Sequence, residues 1–256
     1  MARCAREKSV SGIYHIMMRG INRQDIFLDE DDRCRFLEII KRVQESGSCS
    51  IYGYCLMNNH IHLLLQEKEE ELSIIMKRIG TSYAWRYNKK YDRVGHVFQN
   101  RFQSEPVDTE AYLLGVLRYI HNNPVKAKLV AKPEDYQWSS CQAYYQGQDS
   151  SGLVNTPFVL SILNGNGEAA IKQFADFMHQ ENADQFMDFK VKQRKSDDDL
   201  AQAIKEQLNG QPIELLQNMD IAMRNKIIRE IKELEGVTQR QIARVTGIHQ
   251  SIIFKA

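Results

Sequence analysis

Residues 49 to 68, CSIYGYCLMNNHIHLLLQEK, constrain the fold more than any other stretch of the chain. Two β-prone runs flank Asn58-Asn59, a pair with turn character, so they read as strands joined by a short hairpin link. Helical patterns lie on both sides. Upstream, SGIYHIMMRG (residues 11 to 20) reads as a first strand with Tyr14 and His15 on opposite faces. DEDDRCRFLEIIKRVQES then reads as a helix, acidic at its start, with Phe36, Leu37, Ile40 and Val43 at helical spacing. Downstream, residues 70 to 91 carry Leu72, Ile75, Ile79 and Tyr83 or Ala84 on one stripe. HVFQNRFQSEPV reads as a fourth strand ending at Pro106. DTEAYLLGVLRYIHNNP predicts a helix over about residues 109 to 122, capped by Asp108 and stopped by Pro124. The order βαββαβα predicts an α+β sandwich of the ferredoxin-like type with an antiparallel sheet.

Beyond this core, KAKLVAKPEDYQWSSCQAYYQG closes the first domain, and QGQDSSGLVNTP, with Gly147, Gly152 and Pro157, marks a boundary. Residues 158 to 189 read as helical, with Phe174, Phe177 and Met178 on one side and a turn at NGNG. KVKQRKSDDD is a charge run read as a linker or exposed helix start. From residue 200 the pattern is a helical bundle. Its last segment, GVTQRQIARVTGIHQSIIFKA, sets Ala243 four residues before Gly247, with Ile242, Ile248 and Ile253 around them. That spacing fits a helix-turn-helix whose second helix begins near His249. The predicted domains are 1–146, a helical extension and linker over 147–195, and a helical DNA-binding module over 196–256.

Apolar residues at 43% and charged residues at 26% are ordinary for a soluble globular protein. No apolar run approaches the roughly 20 residues a bilayer requires, and MARCAREKSV lacks a signal-peptide core, so the expected address is cytoplasmic with no membrane partner. Five cysteines, an odd number without CxxC spacing, argue for reduced thiols. A net charge of +1 hides local bias. Residues 77 to 101 hold Lys77, Arg78, Arg86, Lys89, Lys90, Arg93 and Arg101 against Asp92 alone, interleaved with Tyr83, Trp85, Tyr87, Tyr91 and Phe98. Phosphate contact and base stacking both need that mixture. Residues 224 to 255 hold seven bases against three acids, which suits contact with a duplex.

His60 and His62 are two apart, so on a strand both imidazoles project from one face, where they can hold a metal ion. In RYIHNNPV, Tyr119 and Asn123 lie four apart on one side of a helix. The Asn123 amide oxygen would complete a site of two imidazoles and one oxygen, open to substrate and water, which would accept magnesium or manganese and could bind zinc tighter by the usual affinity order. Tyr119 would stand beside it as a nucleophile. His121 points away from that side and reads as structural. Trp138 reads as core, and Tyr112, two turns before Tyr119, is the rival nucleophile.

These residues bring the chain to a known family. YHIMMRGINRQDIF, DDRCRFL, YCLMNNHIHLLL, GHVFQNRFQSEPVDTEAYLLGVLRYIHNNPVKAKLV and YQWSSCQAYY occur in this order. Together, from residue 2 to about 146, they resemble the single-tyrosine transposases of the HUH class, most closely the REP-associated tyrosine transposases. His60-Ile61-His62 matches the histidine-hydrophobic-histidine motif, and Tyr119 matches the nucleophile. The resemblance implies attack of the tyrosine on a single-stranded DNA phosphodiester, giving a 5′-phosphotyrosine and a free 3′-OH, without a nucleotide cofactor. It implies hairpin-forming DNA as partner and, from several insertion-sequence members, a homodimer with shared active sites. Arg19, Arg23 and Arg101 match recurrent family positions and are expected on DNA phosphates, as are Lys77, Arg78 and Arg86 of the basic run. The chain departs from the family in carrying Asn123 where many insertion-sequence members have glutamine, and in its tail beyond residue 150. The last part of that tail resembles the DNA-binding end of replication initiators, which puts Arg240, Arg244 and Gln250 on duplex DNA. Two other activities compete: a domesticated, non-catalytic binder that regulates repeat sequences, and a phosphodiesterase that transfers to water.

Overall fold

The computed structural model describes residues 6–147, 149, 151–163, 167–180, 186–187, 195–234 and 236–256. It divides into two compact units, Met1–Asp188 and Phe189–Ala256. The first unit runs β1 (Ile13–Arg19), α1 (Glu30–Glu45), β2 (Cys49–Leu56), β3 (His60–Glu67), α2 (Leu72–Lys90), β4 (Gln103–Pro106) and α3 (Glu110–Lys126). The sheet order is β2-β3-β1-β4, and every pairing is antiparallel. This is the ferredoxin-like topology, in an α+β class.

Alternation along β1 sorts the two layers. Met18 reaches Gly80 of α2, and Tyr83 of α2 stacks edge-on against Phe36 of α1. His15, of the opposite parity, meets Tyr119 of α3. So α1 and α2 cover one face of the sheet and α3 covers the other, and the inner strands β1 and β3 are buried on both sides, as their apolar runs require. α1 starts at a capping box in which Asp29 accepts from the Asp32 N–H and Asp32 from the Asp29 N–H, with Glu30, Asp31 and Asp32 at the positive end of the helix dipole.

Three local expectations needed correction. The N-cap of α3 is Thr109, not Asp108. The Asp108 carboxylate instead accepts from the Ser9 hydroxyl and the Val10 and Ser11 N–H groups, fastening the segment that leads into β1. Pro124 does not stop α3, which continues to Lys126. So close to the end, proline forfeits a single bond, and Lys128 and Leu129 then close the terminus on the Val125 and Pro124 carbonyls. The fourth strand is confined to Gln103–Pro106, preceded by an isolated bridge from Phe98 to Gly20.

α4 (Cys141–Tyr145), α5 (Thr156–Ile162) and α6 (Glu168–His179) follow. Their Tyr144, Val159, Phe174 and Met178 join the same buried core as the sheet. Val154 bridges Ile51 and the Asn155 N–H donates to the Ile51 carbonyl, which covers the β2 edge. The contact division therefore falls at residue 188, past the compositional boundary near residue 147. Of the NGNG turn, residues 164–166 lie outside the described residues.

The second unit comprises α7 (Asp197–Gln207), α8 (Leu215–Asn218), α9 (Ile221–Lys232), α10 (Gln239–Thr246) and α11 (Gln250–Lys255) around its own core of Leu200, Ile204, Leu216, Ile228, Ile231, Ile242 and Ile253. Gly247 takes the left-handed conformation (φ 69°) that ends α10, and His249 caps α11. Among the described residues no helix is long and apolar enough to cross a membrane.

Candidate active site

The hairpin turn sets His60 at the first position of β3 and His62 two positions on, so both rings leave the α3 face of the sheet. Their centroids are 5.2 Å apart and nearly perpendicular. His60 is half-buried, and its Nδ1 lies 2.7 Å from the Asn59 side-chain oxygen. His62 is fully buried, and its Nδ1 lies 3.0 Å from Nε2 of His15. Nε2 of His62 is buried with no hydrogen-bond partner. Burial, and then the His15 and His60 rings, hold the His62 imidazole well below its ordinary pKa, so it is neutral, the form that ligates a metal. A buried imidazole nitrogen without a hydrogen-bond partner, beside a second imidazole, fits a divalent cation.

α3 brings the tyrosine to this spot. Tyr119 is 5% exposed, with its ring 5.7 Å from His62 and 6.0 Å from His15. The helix comes this close because Gly53 on β2 has no side chain: a Cβ there would overlap Leu117 Cδ1. Phe186 packs edge-on against Tyr119 at 5.6 Å, in the space that Gly115 leaves, and Lys126 Nζ lies 4.5 Å from the Tyr119 ring centroid. The Asn123 amide donates to the Tyr119 backbone carbonyl one turn back (2.8 Å). Tyr112 packs on the far side of Phe186 and bonds Glu105. Burial first, then that carboxylate, raise its pKa, which is unfavourable for a nucleophile. His121 is buried elsewhere, against Ser140 and Phe174. Trp138 packs partly buried on the core beneath Arg33.

The basic residues separate into three groups. Arg19 pairs in register with His60, and exposed Arg23 follows at the same end of the sheet. Lys77, Trp85, His96, Phe98, Arg101 and Phe102 line an open groove of about 750 Å³ on α2 and the loop before β4. Arg6 also lines this groove, stacked over Phe102 at 3.8 Å. Burial and then nearby Arg101 lower its pKa, a like-charge pair that suits an anion. Trp85 is 64% exposed and holds Lys89 over its ring. Arg86 is half-buried on the same helix, whereas Arg78 is bound to Glu70 (2.7 Å) and Ser48. In the second unit Arg240 and Gln250 are exposed, and Arg244 forms a two-pronged pair with Asp197, both contacts at 2.7 Å. The one cluster of acids with metal-like spacing among the described residues, Asp29, Asp31 and Asp32, is filled by Lys90 Nζ.

Sequence reasoning missed His15, Glu105, Arg6 and Phe186. The first had a signal: His15 shares the parity of the β1 positions that face α3, but only the β1–β3 register brings it to His62. Phe186 carried none.

By family match, the first unit carries a transposase-like domain. Residues 8–123 match the family model described as transposase IS200 like, so this region is similar to the IS200-like transposases. No curated protein matches the chain at a significant level. Among solved structures, a REP-associated tyrosine transposase bound to a REP hairpin is 18% identical, aligning 61% of this chain with 90% of that one at a TM-score of 0.49. A protein from Deinococcus radiodurans put forward as a transposase is 16% identical over 47% of this chain and 97% of that one, with a TM-score of 0.34.

Proposed function

We propose that this transposase-like domain cuts and rejoins single-stranded DNA at hairpin sites, with Tyr119 as nucleophile and His60, His62 and Asn123 as the residues that hold a divalent metal, magnesium or manganese. One observation carries the reading: the Tyr119 ring packs 5.7 Å from His62, whose Nε2 is buried and unpartnered and whose ring adjoins His60. The Tyr119 oxygen attacks the phosphorus; the O–P bond to tyrosine forms as the bond to the 3′-oxygen breaks. The phenolic proton leaves, and the 3′-oxygen is released as a hydroxyl. Attack by a 3′-OH reverses these bonds and frees the tyrosine. A bound divalent ion would polarise the scissile phosphate and offset its charge. Lys126, close to the tyrosine ring, adds positive charge where the oxygen becomes negative. The groove with Arg6, Lys77, Arg101 and exposed Trp85 supplies phosphate contacts and a stacking surface suited to a single strand. Arg19 and Arg23 stand at the His60 end of the sheet for the phosphates nearest the chemistry. The helix pair joined at Gly247, with Arg240 and Gln250 outward, is read as a helix-turn-helix for duplex DNA; Arg244 would reach it only by leaving Asp197.

The test is a denaturing gel of the full chain with labelled single-stranded hairpins from the flanks of its own gene, with magnesium or manganese. The expected result is a metal-dependent covalent protein–DNA band that Tyr119→Phe abolishes and that His60→Ala, which removes a ligand outright, reduces by more than the roughly 10- to 100-fold that losing a ligand's supporting partner costs. Cleavage that persists in Tyr119→Phe would point to transfer to water. Binding without any adduct across several hairpins would point to a regulator.

A further inference from the structure

The His62 side chain does not end a chain of polar contacts; it begins one. Its Nδ1 lies 3.0 Å from Nε2 of His15, and Nδ1 of His15 lies 3.6 Å from Oε2 of Glu105. His15 and His62 are fully buried, and their rings lie close to parallel. Both β ladders are needed to bring the three together, because the residues stand on β1, β3 and β4. Glu105 is held in turn by Tyr112 and by the Met187 N–H, and its pKa is lowered, first by its bond to His15.

Counting protons along this row leaves one arrangement. An ionised carboxylate only accepts, so the Nδ1–H of His15 faces Glu105 across 3.6 Å, an electrostatic contact longer than a hydrogen bond, and the lone pair stays on Nε2. That lone pair accepts the Nδ1–H of His62. The His62 lone pair is then on Nε2, the buried atom without a partner, in a ring that lies 5.2 Å from that of His60 and 5.7 Å from that of Tyr119. The opposite His62 tautomer would put a hydrogen on Nε2, where it would find no acceptor, and, with His15 keeping its Nδ1–H toward Glu105, would leave two lone pairs facing each other across 3.0 Å.

We propose that His15 and Glu105 are positioning residues that lock His62 in its Nδ1–H tautomer and so aim its Nε2 lone pair into the candidate metal site. Neither residue touches the metal or the DNA; each acts through His62. The proposal rests on the metal-binding reading of His60 and His62, and the two fail differently in the test. Partners of this kind typically change metal affinity by about 10- to 100-fold.

The experiment uses the full chain without DNA and has two readouts. Long-range proton–nitrogen correlation spectra of the metal-free protein report which nitrogen of His62 carries hydrogen. Calorimetric titration with manganese chloride gives the affinity. The wild type is expected to show His62 as the Nδ1–H tautomer. His15→Phe, similar in size but unable to accept, is expected to stay folded with a lower thermal midpoint and to lower manganese affinity about 10- to 100-fold. His15→Gln, which can both accept and donate, is expected to recover part of it. Glu105→Leu, at a half-buried edge position that tolerates change, is expected to mix the His62 tautomers and lower affinity as well. Wild-type affinity in folded His15→Phe and Glu105→Leu, or a wild-type His62 protonated on Nε2, would overturn the proposal. Absence of manganese binding in the wild type would overturn the metal reading beneath it.

Discussion

His121 sits two positions after the proposed nucleophile and answers a different demand. It is fully buried, with Nε2 2.8 Å from the Ser140 hydroxyl, and burial pushes its pKa down to about 3. In the unfolded chain a histidine titrates near 6.5. As pH falls below that value the unfolded state takes up a proton that the folded state refuses, so stability present above about pH 6.5 is lost on acidification. Between pH 6.5 and 5 this amounts to about 2 kcal/mol from His121 alone. Thermal unfolding of metal-free protein at pH 7 and pH 5 is expected to show a smaller drop for His121→Gln than for the wild type. An equal drop would place the acid sensitivity elsewhere, His62 being the next group that burial holds neutral. Helix geometry alone separated His121 from Tyr119, because two positions on a helix turn a side chain about 200°. The same reasoning within β1 could not show what His15 faces, since His15 and His62 are 47 positions apart and a ladder joins them.

Elements with a strong local period were readable in advance: the hairpin at Asn58-Asn59, and α1 and α2 with their apolar stripes. What the period does not encode is where an element ends and how near it lies to its neighbour. The reach of α3 past Pro124 and the shortness of β4 follow from tertiary bonds, and the closeness of α3 to the sheet follows from a residue that is missing a side chain. Gly53 stands where β2 shifts register against β3, and Leu117 fills the space above it, fully buried. Gly53→Ala would push Leu117, and with it the turn bearing Tyr119, away from the histidines. An overpacked core change of this kind costs about 1 to 3 kcal/mol. The expected outcome is a lower thermal midpoint together with loss of most covalent adduct. Gly53→Ala/Leu117→Val, which removes the overlapping methyl reach, is expected to regain adduct. A single variant that melts lower yet forms adduct at the wild-type rate would show that the α3 approach does not set the chemistry.

At the scale of the whole chain, two units with separate cores raise the question of whether they read DNA independently. The composition of residues 224 to 255 pointed to a duplex reader, but composition cannot tell which bases are spent within the protein. Arg244 is engaged with Asp197, whereas Arg240 and Gln250 are exposed around the left-handed turn at Gly247. If the second unit contacts duplex phosphates, Arg240→Ala should weaken duplex binding evenly across sequences and reduce the salt slope by about one. Asp197→Asn should do the opposite, because Arg244 would lose its partner and become available to a phosphate. Neither change should alter adduct formation on a short single-stranded hairpin, whose contacts lie in the first unit under the reading above. Filter binding to duplex DNA across a range of salt, with the adduct assay run in parallel, checks both halves. A fall in adduct yield with Arg240→Ala would mean that the second unit takes part in presenting the strand to Tyr119. An unchanged salt slope in both variants would assign the helix pair to another task and leave the first unit as the sole reader of DNA.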